Sequence, residues 1–413
     1  MVNSSENRAS HGPNDRRVPV SWLDFKVGFR MLARYPGITV VGTAAIAVAI
    51  ALGTLYFEAI NKWQNPRLPV AEGERVISIR NWDTSELATD PRMLYDYVIW
   101  REQVRTVDDL GAAMVFVRNL ATPDGRIEPV QGAEITPNAF RMMGTTPLLG
   151  RTLTEQDAEP AEPPVVVIGY PLWKARFGGD SAVIGRTVEL GTVAATVVGV
   201  MPEGFAFPAV ERIWTPLRVQ DAALTPRSGP AVSIFGRLAD GVSLDAAQTE
   251  IAAISARIAA ENPETHRNLR PRVTQYAKPL SGGANSVLIG TMLSVVAGIF
   301  LMLLTIVCAN VATLVFARTA TRGWEITVRS ALGASRGRIV TQLFIEALVL
   351  AGLAAVVGLG IAKIALTWGL SLMAGSNGLP FWIDDSISWR TVLGTALLTL
   401  IGAAIVGILP ALR

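Results

Sequence analysis

The chain has 413 residues, half of them apolar and only 17% charged, with a mean hydropathy of +0.37. Its 37 bases and 34 acids leave a net charge of +3, which fits neither a disordered chain, nor an ordinary cytosolic enzyme, nor a nucleic-acid binder. One cysteine, Cys308, and two histidines, His11 and His266, exclude a disulfide framework and a cysteine-rich metal site and leave little for imidazole chemistry.

Residues 1–36 are a polar, basic leader. Within it Trp22 to Tyr35 is amphipathic: Leu23, Val27, Met31 and Leu32 mark one helical face, while Lys26, Arg30 and Arg34 lie largely elsewhere. A basic amphipathic helix just ahead of an apolar run reads as an interfacial elbow. The plain role is an anchor; the sharper one adds a touch on a cytoplasmic partner. Gly37 to Phe57 then gives 21 residues without a charge, long enough for a hydrocarbon core of about 30 Å. It starts too late and runs too long for a cleaved signal peptide, so residues 37–58 are expected to be a first membrane span.

Residues 59–285 read as a water-exposed α+β domain with a mixed sheet. Strands are expected at Arg75–Arg80, Met114–Val117, Val165–Ile168 and Thr196–Val200, each bounded by Gly or Pro. Helices are expected at Leu94–Val104 and Leu244–Ala260. In the second, Ala247, Ile251, Ile254 and Ile258 stand at helical spacing behind Ser243 as N-cap. His266, beside Glu261 and Glu264 on a polar segment, reads as a surface residue on a loop rather than a metal ligand. No nucleophile or metalloprotease motif occurs. Leu280-Ser-Gly-Gly283 copies the start of an ABC ATPase signature loop, but no Gly-Lys pair exists anywhere in the chain. The tetrapeptide therefore reads as a linker, and Gly178-Gly179 forms no dinucleotide fingerprint.

Pro279 to Ala317 is uncharged and holds the second expected span, 286–317, with Asn310 as its main interior polar residue. Segment 318–338 follows with Arg318, Arg322, Arg329, Arg336 and Arg338 against one acid, Glu325. Glu325 and Arg329 stand at i,i+4, the favourable order for a helical ion pair. Gly333 can end that helix and Ser335 can start the next. A short helix pinned between two spans is a lever. The third span, 339–374, carries Glu346 near its start and is interrupted by Lys363, which can snorkel. A short connection, 375–390, leads to the fourth span, 391–412. Small residues recur every fourth position at Ala45, Ala49 and Gly53, at Ala354, Gly358 and Ala362, and at Ala403 and Gly407, a spacing that lets helix backbones approach. No span carries an acid–base relay at depth, so an aqueous ion path is hard to build. The basic flanks, 1–36 and 318–338, belong in the cytoplasm, which puts 59–285 outside and both termini inside. The expected fold class is a membrane α-helical protein with four transmembrane helices and a large extracytoplasmic α+β domain inserted between the first and second.

These pieces together resemble the ABC permeases of the MacB/FtsX type (the type VII superfamily), a family that includes the macrolide-exporter permease, the lipoprotein-releasing permeases and FtsX. The elbow Arg30-Met-Leu-Ala-Arg-Tyr-Pro-Gly-Ile-Thr39 looks like the family's N-terminal helix. Thr136-Pro-Asn-Ala-Phe-Arg-Met-Met-Gly144, Gly150-Arg-Thr-Leu153, Val165-Val-Val-Ile168, Arg176-Phe-Gly-Gly-Asp180 and Val198-Gly-Val-Met-Pro202 are similar to its periplasmic core. Cys308-Ala-Asn-Val311, Glu325-Ile326, Arg329, Ala331-Leu-Gly-Ala-Ser-Arg336 and Glu346 match its permease region. The wording is most similar to duplicated orphan permeases of Acidobacteria, here as a single unit. The chain would work either as a dimer of four-span units or as the front half of a longer protein.

The resemblance implies a non-catalytic permease in the bacterial inner membrane, binding no cofactor itself. A separate cytoplasmic ABC ATPase would use ATP and Mg. Further implied partners are a second permease unit, membrane lipids and a periplasmic adaptor, and no nucleic acid. Glu325, Arg329, Gly333 and Arg336 would form the coupling surface, with Lys26, Arg30 and Arg34 on the elbow. Export of a hydrophobic or amphiphilic substrate is the first expectation. A regulator of the FtsX kind, acting on a periplasmic partner or sensing a ligand without transport, is the alternative.

Overall fold

The computed structural model describes residues 36–64, 68–121, 125–219, 225–278, parts of 291–309, 336–374 and 378–408, with Lys26 and Arg30 in the leader. The chain divides into two compact units. A helical unit holds Met1–Ile60, Val287–Trp368 and Ser386–Arg413; a head holds Asn61–Ser286 and Gly369–Asp385.

Helix α1 runs over Pro36–Gln64. The head follows, opening with β1 (Val76–Asp83), β2 (Ala88–Asp90), α2 (Leu94–Gln103), β3 (Val107–Ala121) and β4 (Ile127–Ile135). Next come α3 (Asn138–Met142), β5 (Leu149–Gly150), β6 (Val165–Ile168), α4 (Tyr170–Phe177), β7 (Thr187–Leu190) and β8 (Val193–Val200). It closes with β9 (Ile213–Pro216), β10 (Ser233–Leu238), α5 (Leu244–Glu261), α6 (Pro263–His266) and β11 (Leu269–Gln275). Helices α7 (Arg336–Ala374) and α8 (Trp389–Ile408) complete the described chain.

The strands join one mixed sheet in the order β11-β1-β10-β3-β4-β9-β6-β8-β5, with β2 on β1 and β7 bridging β3 and β8. Pairs β4–β9 and β6–β8 are parallel; the others are antiparallel. Strand β6 is buried at every position, as its unbroken Val-Val-Val-Ile run requires of a strand covered on both faces. Strand β3 is much longer than the Met114–Val117 stretch that β propensity marks. Asp108 and Asp109 hide its first half from a sequence pattern, yet β10 pairs with that half and β4 with the rest.

Three cores fill the head. Ile77, Ile79, Trp100, Ile234, Ile251 and Ile258 lie under α2 and α5. Phe140, Met201, Phe207, Trp214 and Phe235 make a second, aromatic core. Leu172, Trp173, Val183, Val188, Val197 and Ile213 make a third around α4. Buried indole N–H groups are satisfied, as burial demands: Trp100 donates to Ser255 Oγ (3.2 Å) and Trp173 to the Asp180 carbonyl (2.9 Å). Helix α5 is capped by Ser243, whose Oγ accepts from the Ala246 N–H at 3.2 Å, and its Ala247, Ile251, Ile254 and Ile258 are the buried face.

His266 differs from the surface loop residue expected. It ends α6 and is 3% exposed, with Nε2 3.3 Å from Asp96 Oδ1 and Nδ1 2.8 Å from Thr265 Oγ1. Asp96 in turn accepts from Asn81 Nδ2 at 3.1 Å. Its partner comes from α2, 170 positions earlier in the chain, and not from the sequence-adjacent Glu261 or Glu264.

In the helical unit, the segments Thr39–Lys62 and Phe344–Leu372 are long and apolar enough to cross a membrane, and Ser294–Leu303 and Trp389–Ile401 are shorter apolar helices. Val356 and Ile364 on α7 and Leu393 and Leu397 on α8 are exposed. Such large apolar side chains facing outward suit a lipid environment rather than water.

Candidate functional site

Three groups of residues bear on what this chain does. The first is the set of small and hydroxyl side chains that hold the helices together. Ala354, Gly358 and Ala362 are all buried on one stripe of α7. A Cβ added at Gly358 would lie 2.7 Å from the Ala47 carbonyl oxygen and 2.9 Å from Ile50 Cγ2, so α1 and α7 touch there at backbone distance. The α1 ladder shares in this, with Ala49 and Gly53 buried. Helix α8 is tied to α1 by hydroxyls: Thr54 Oγ1 and Thr395 Oγ1 are 3.1 Å apart. Beside them Glu58 accepts at Oε2 from the Ser388 N–H (3.0 Å), Ser388 Oγ (3.1 Å) and Thr391 Oγ1 (2.7 Å). A buried carboxyl oxygen thus sits on the first turn of α8, where backbone N–H groups lack partners within the helix.

The second group belongs to the head. Phe381 and Trp382, in its Gly369–Asp385 segment, pack against the aromatic core. The Phe381 N–H donates to the Ala209 carbonyl at 2.9 Å. The Phe381 ring lies 6.5 Å from Phe207, and Trp382 lies edge-on 5.7 Å from Tyr276. Phe207 itself meets Phe235 at 4.8 Å and Tyr276 at 5.1 Å. Lys62 Nζ bonds Asp384 Oδ1 at 2.8 Å. The turn that presents Ala209 is held from beneath by Glu211, whose Oε2 accepts from the Ala209 and Val210 N–H groups. Burial raises the Glu211 carboxyl despite those bonds. Burial likewise raises the Tyr276 phenol, reinforced by Glu211, so its hydroxyl stays protonated and donates to the Pro208 carbonyl at 3.0 Å.

The third group is an ion clamp. Arg227 reaches Asp83 Oδ2 (2.7 Å) and Asp90 Oδ2 (2.5 Å). Both acids are almost wholly buried. Hydrogen bonds from Ser85, aided by Arg227, hold the Asp83 carboxyl down at about 2. At Asp90 burial pushes upward, but bonds from Arg92 and Arg227 outweigh it and leave the carboxyl lowered.

Of the residues expected to couple to a partner, Lys26 and Arg30 are helical and exposed, one helical turn apart. Arg336 is the first residue of α7. Arg34, Glu325, Arg329 and Gly333 lie outside the described residues, as do Asn310 and the Leu280–Gly283 tetrapeptide. Among the described residues no cluster of metal-ligating side chains occurs. A polar cleft of about 380 Å³ runs along Trp100 to Leu110 without a nucleophile–base pair. Sequence reasoning missed Glu58 and the aromatic pair Phe381–Trp382. The signal for the pair was present: two large aromatics in a short connection, just after Gly378 and Pro380.

Comparison with known proteins places these parts. The MacB-like periplasmic core domain matches residues 38–254 and the FtsX-like permease C-terminal region matches residues 286–413. The "Uncharacterized ABC transporter permease YknZ" of Bacillus subtilis is 27% identical over 265 residues, covering 63% of this chain and 62% of that protein. The "Macrolide export ATP-binding/permease protein MacB" of Bdellovibrio bacteriovorus is 26% identical over 293 residues, covering 66% of this chain and 40% of that protein. The chain thus spans about 40–60% of the length of these relatives. The crystal structure of the periplasmic region of MacB from Actinobacillus actinomycetemcomitans aligns over 49% of this chain and 90% of its own, at 15% identity and a TM-score of 0.37. The chain belongs to the family of ABC transporter permeases that join a MacB-like periplasmic core domain to an FtsX-like permease region.

Proposed function

We propose that this chain is the membrane unit of an ABC exporter of the mechanotransmitting kind, driven by a separate cytoplasmic ATPase. In this reading four helices (37–58, 286–317, 339–374 and 391–412) cross the inner membrane, both termini are cytoplasmic, and residues 59–285 stand in the periplasm. ATP-driven closure of the partner pushes on the elbow (Lys26, Arg30, Arg34) and on the lever (Glu325, Arg329, Gly333, Arg336). The helices shift as a packed set and the head changes shape around a hydrophobic or amphiphilic substrate. The chain itself performs no chemistry.

One observation carries the proposal: the Gly369–Asp385 connection is built into the head by the Phe381–Ala209 hydrogen bond and the Phe381 and Trp382 rings. A connection that served only to turn the chain between two helices has no need of such anchorage. The chain passes between helical unit and head four times, so helix displacement has four covalent routes into the head. The Gly358–Ala47 approach and the Thr54–Thr395 and Glu58–Ser388 bonds support concerted rather than independent helix movement.

The test is co-purification of the chain with its ATPase in lipid. Wild type is expected to stimulate ATP hydrolysis, and Arg329→Glu to abolish the stimulation while leaving expression and head folding unchanged. Trp382→Ala is expected to retain ATP hydrolysis but to lose export, read as restored sensitivity to amphiphilic toxins in a deletion strain. Hydrolysis by the purified chain alone, or a residue-200 tag found in the cytosol of intact cells, would sink the proposal.

A further inference from the structure

The outer strands of the head carry an arrangement that neither the exporter reading nor the clamp at Arg227 uses. On β1 and β11, Arg80 stands directly opposite Arg272, and Trp82 opposite Arg270. Directly opposed residues of an antiparallel pair share a face, and like charges there repel. The shared face is confirmed by contacts: the Arg272 guanidinium lies 4.4 Å over the Trp82 ring, and Arg80 Nε points back to Ser78 Oγ at 3.4 Å. Several other arginines of the head meet acids, while Arg218 and Arg257 bond carbonyl groups. Arg75 meets Glu72 and Asp240, Arg118 meets Glu134, Arg151 meets Asp157, and Arg176 meets Glu128. Among the described residues, no ion pair involves Arg80, Arg270 or Arg272. Burial of Arg80 lowers its guanidinium from the ordinary value, with only Tyr276 opposing. A half-buried cation directly opposite another, with Arg270 nearby answered only by the Arg267 and Leu269 carbonyls, is a cost to the fold, and a bound anion would relieve it.

The same face turns apolar along the sheet. Ser78 pairs with Phe235 on β10, Phe235 with Gly111 on β3, and Ser233 with Ala113. By alternation, Val115 and Val117 of β3 project on the side that carries Arg80 and Trp82. Both valines are more than half exposed. Beside Trp82 the neighbouring strand is β2, whose Thr89 pairs with it, and the β10–β3 pairing ends at Ser233 and Ala113, so the valines lie farther along this side of the sheet. Guanidinium groups and an indole at the β1–β11 edge thus share one side of the sheet with two open valines.

We propose that this face binds an anionic amphiphile, its phosphate or carboxylate held by Arg80, Arg270 and Arg272 and its apolar tail laid across Trp82 toward Val115 and Val117. Guanidinium forks match such headgroups in charge and geometry. The proposal rests on the exporter reading only for the step from binding to cargo: it names the charge class that the head would accept.

The experiment uses the full chain in nanodiscs of zwitterionic lipid, titrated with octyl phosphate against empty discs, with octyltrimethylammonium and octyl glucoside as controls. Saturable binding of octyl phosphate alone is expected. Arg272→Gln, at an exposed position that tolerates change, and Arg80→Gln are each expected to weaken it by about tenfold or more. Arg186→Gln, elsewhere on the head, is expected to leave it unchanged. Equal affinity in the two site variants and wild type, or equal binding of the cationic probe, overturns the proposal. Inorganic phosphate competing as well as octyl phosphate would mean an anion site without a tail. Capture of anionic vesicles with no binding of the soluble probe would mean a lipid surface. Either result overturns the amphiphile assignment. An Arg329→Glu chain that has lost ATPase coupling is expected to bind octyl phosphate as wild type does, so failure of coupling and failure of this site are read on separate variants.

Discussion

The head and the helical unit hold themselves together by different physics. In the head, large aromatics fill three cores and charged groups are drawn into the interior in matched sets, as Arg227 is with Asp83 and Asp90. In the helical unit the contacts are made by what is missing from a side chain, as at Gly358, or by single hydroxyls, as at Thr54 and Thr395. Water explains the contrast. Surrounded by water, a domain gains by burying bulk; among lipid tails apolar burial gains little, and close backbone approach and hydrogen bonds must serve instead. The difference teaches where each unit is brittle. The head should fail when volume is removed, and the helices when volume is added.

The largest effect is therefore expected at Trp214. It is fully buried, packs against Phe140 and Phe205, and donates its N–H to the Phe207 carbonyl. Trp214→Ala is expected to destabilise the head by about 4 kcal/mol, read as a lower urea midpoint of head fluorescence. An equal truncation at Ile364, exposed on α7, is expected to leave the melting of the helices in lipid nearly unchanged. If both cost the same, the division between the units is wrong.

Next comes the clamp. Arg227→Met leaves two buried carboxylates without their cation and is expected to cost the head about 3 kcal/mol. The pH dependence gives the same comparison a sign. Asp83 and Asp90 are both lowered in the folded head, so the unfolded chain binds more protons and their stabilisation is fully present above the ordinary aspartate range. It is lost as pH falls from about 4 toward 2. A head carrying Asp83→Asn with Arg227→Met is expected to show a flatter acid limb in urea titrations at successive pH values. An unchanged acid limb would remove the clamp from the account.

Adding volume should hurt the helices. Gly358→Val puts a branched side chain where even a Cβ would press on the Ala47 carbonyl. It is expected to cost about 1–3 kcal/mol, read as a lower melting temperature of the helices in lipid. Gly352, with nothing near its Cβ position, is the control and is expected to accept Val.

The same contrast explains how much could be read from the chain alone. Charge-free runs mark α1, α7 and α8 because lipid leaves no room for charge. The small-residue stripe Ala354–Gly358–Ala362 is legible because a helix repeats every few residues. In the head, Val165–Ile168 and α5 are visible for the same local reason, and Ser243 marks its own helix start. What escaped was set by partners far along the chain. His266 is buried by Asp96, and β3 is extended through Asp108 and Asp109 by β10. The Arg80–Arg272 face exists only in the register of β1 with β11, which no local pattern encodes. Glu58 carries no local signal beyond ending a charge-free run, and its contacts need Ser388, 330 positions away. Glu325, Arg329 and Gly333 lie outside the described residues, so their expected role rests on the i,i+4 spacing and on the family resemblance.

The smallest effects sharpen the comparison most, because one device recurs in both units. Ser243 caps α5 in the head and Ser388 caps α8 in the helical unit: their Oγ atoms accept from Ala246 N–H at 3.2 Å and from Thr391 N–H at 3.3 Å. Taken as caps alone, both serines should cost about 1 kcal/mol on replacement by alanine. Ser388 does more, because its Oγ is also bonded to the Glu58 carboxyl. Removing that hydroxyl takes a donor from a buried carboxyl oxygen, and leaving a buried acceptor short of a partner costs about 1–3 kcal/mol. Ser388→Ala is therefore expected to cost about 2 kcal/mol and Ser243→Ala about 1 kcal/mol, each measured as faster amide exchange in the first turn of its own helix. At Ser243 water can replace the lost oxygen. At Ser388 the acceptor is buried, so the expected ratio of the two exchange effects reports how dry the Glu58 site is. Equal effects would place water beside Glu58 and make the α1–α8 tie no stronger than an ordinary helix cap.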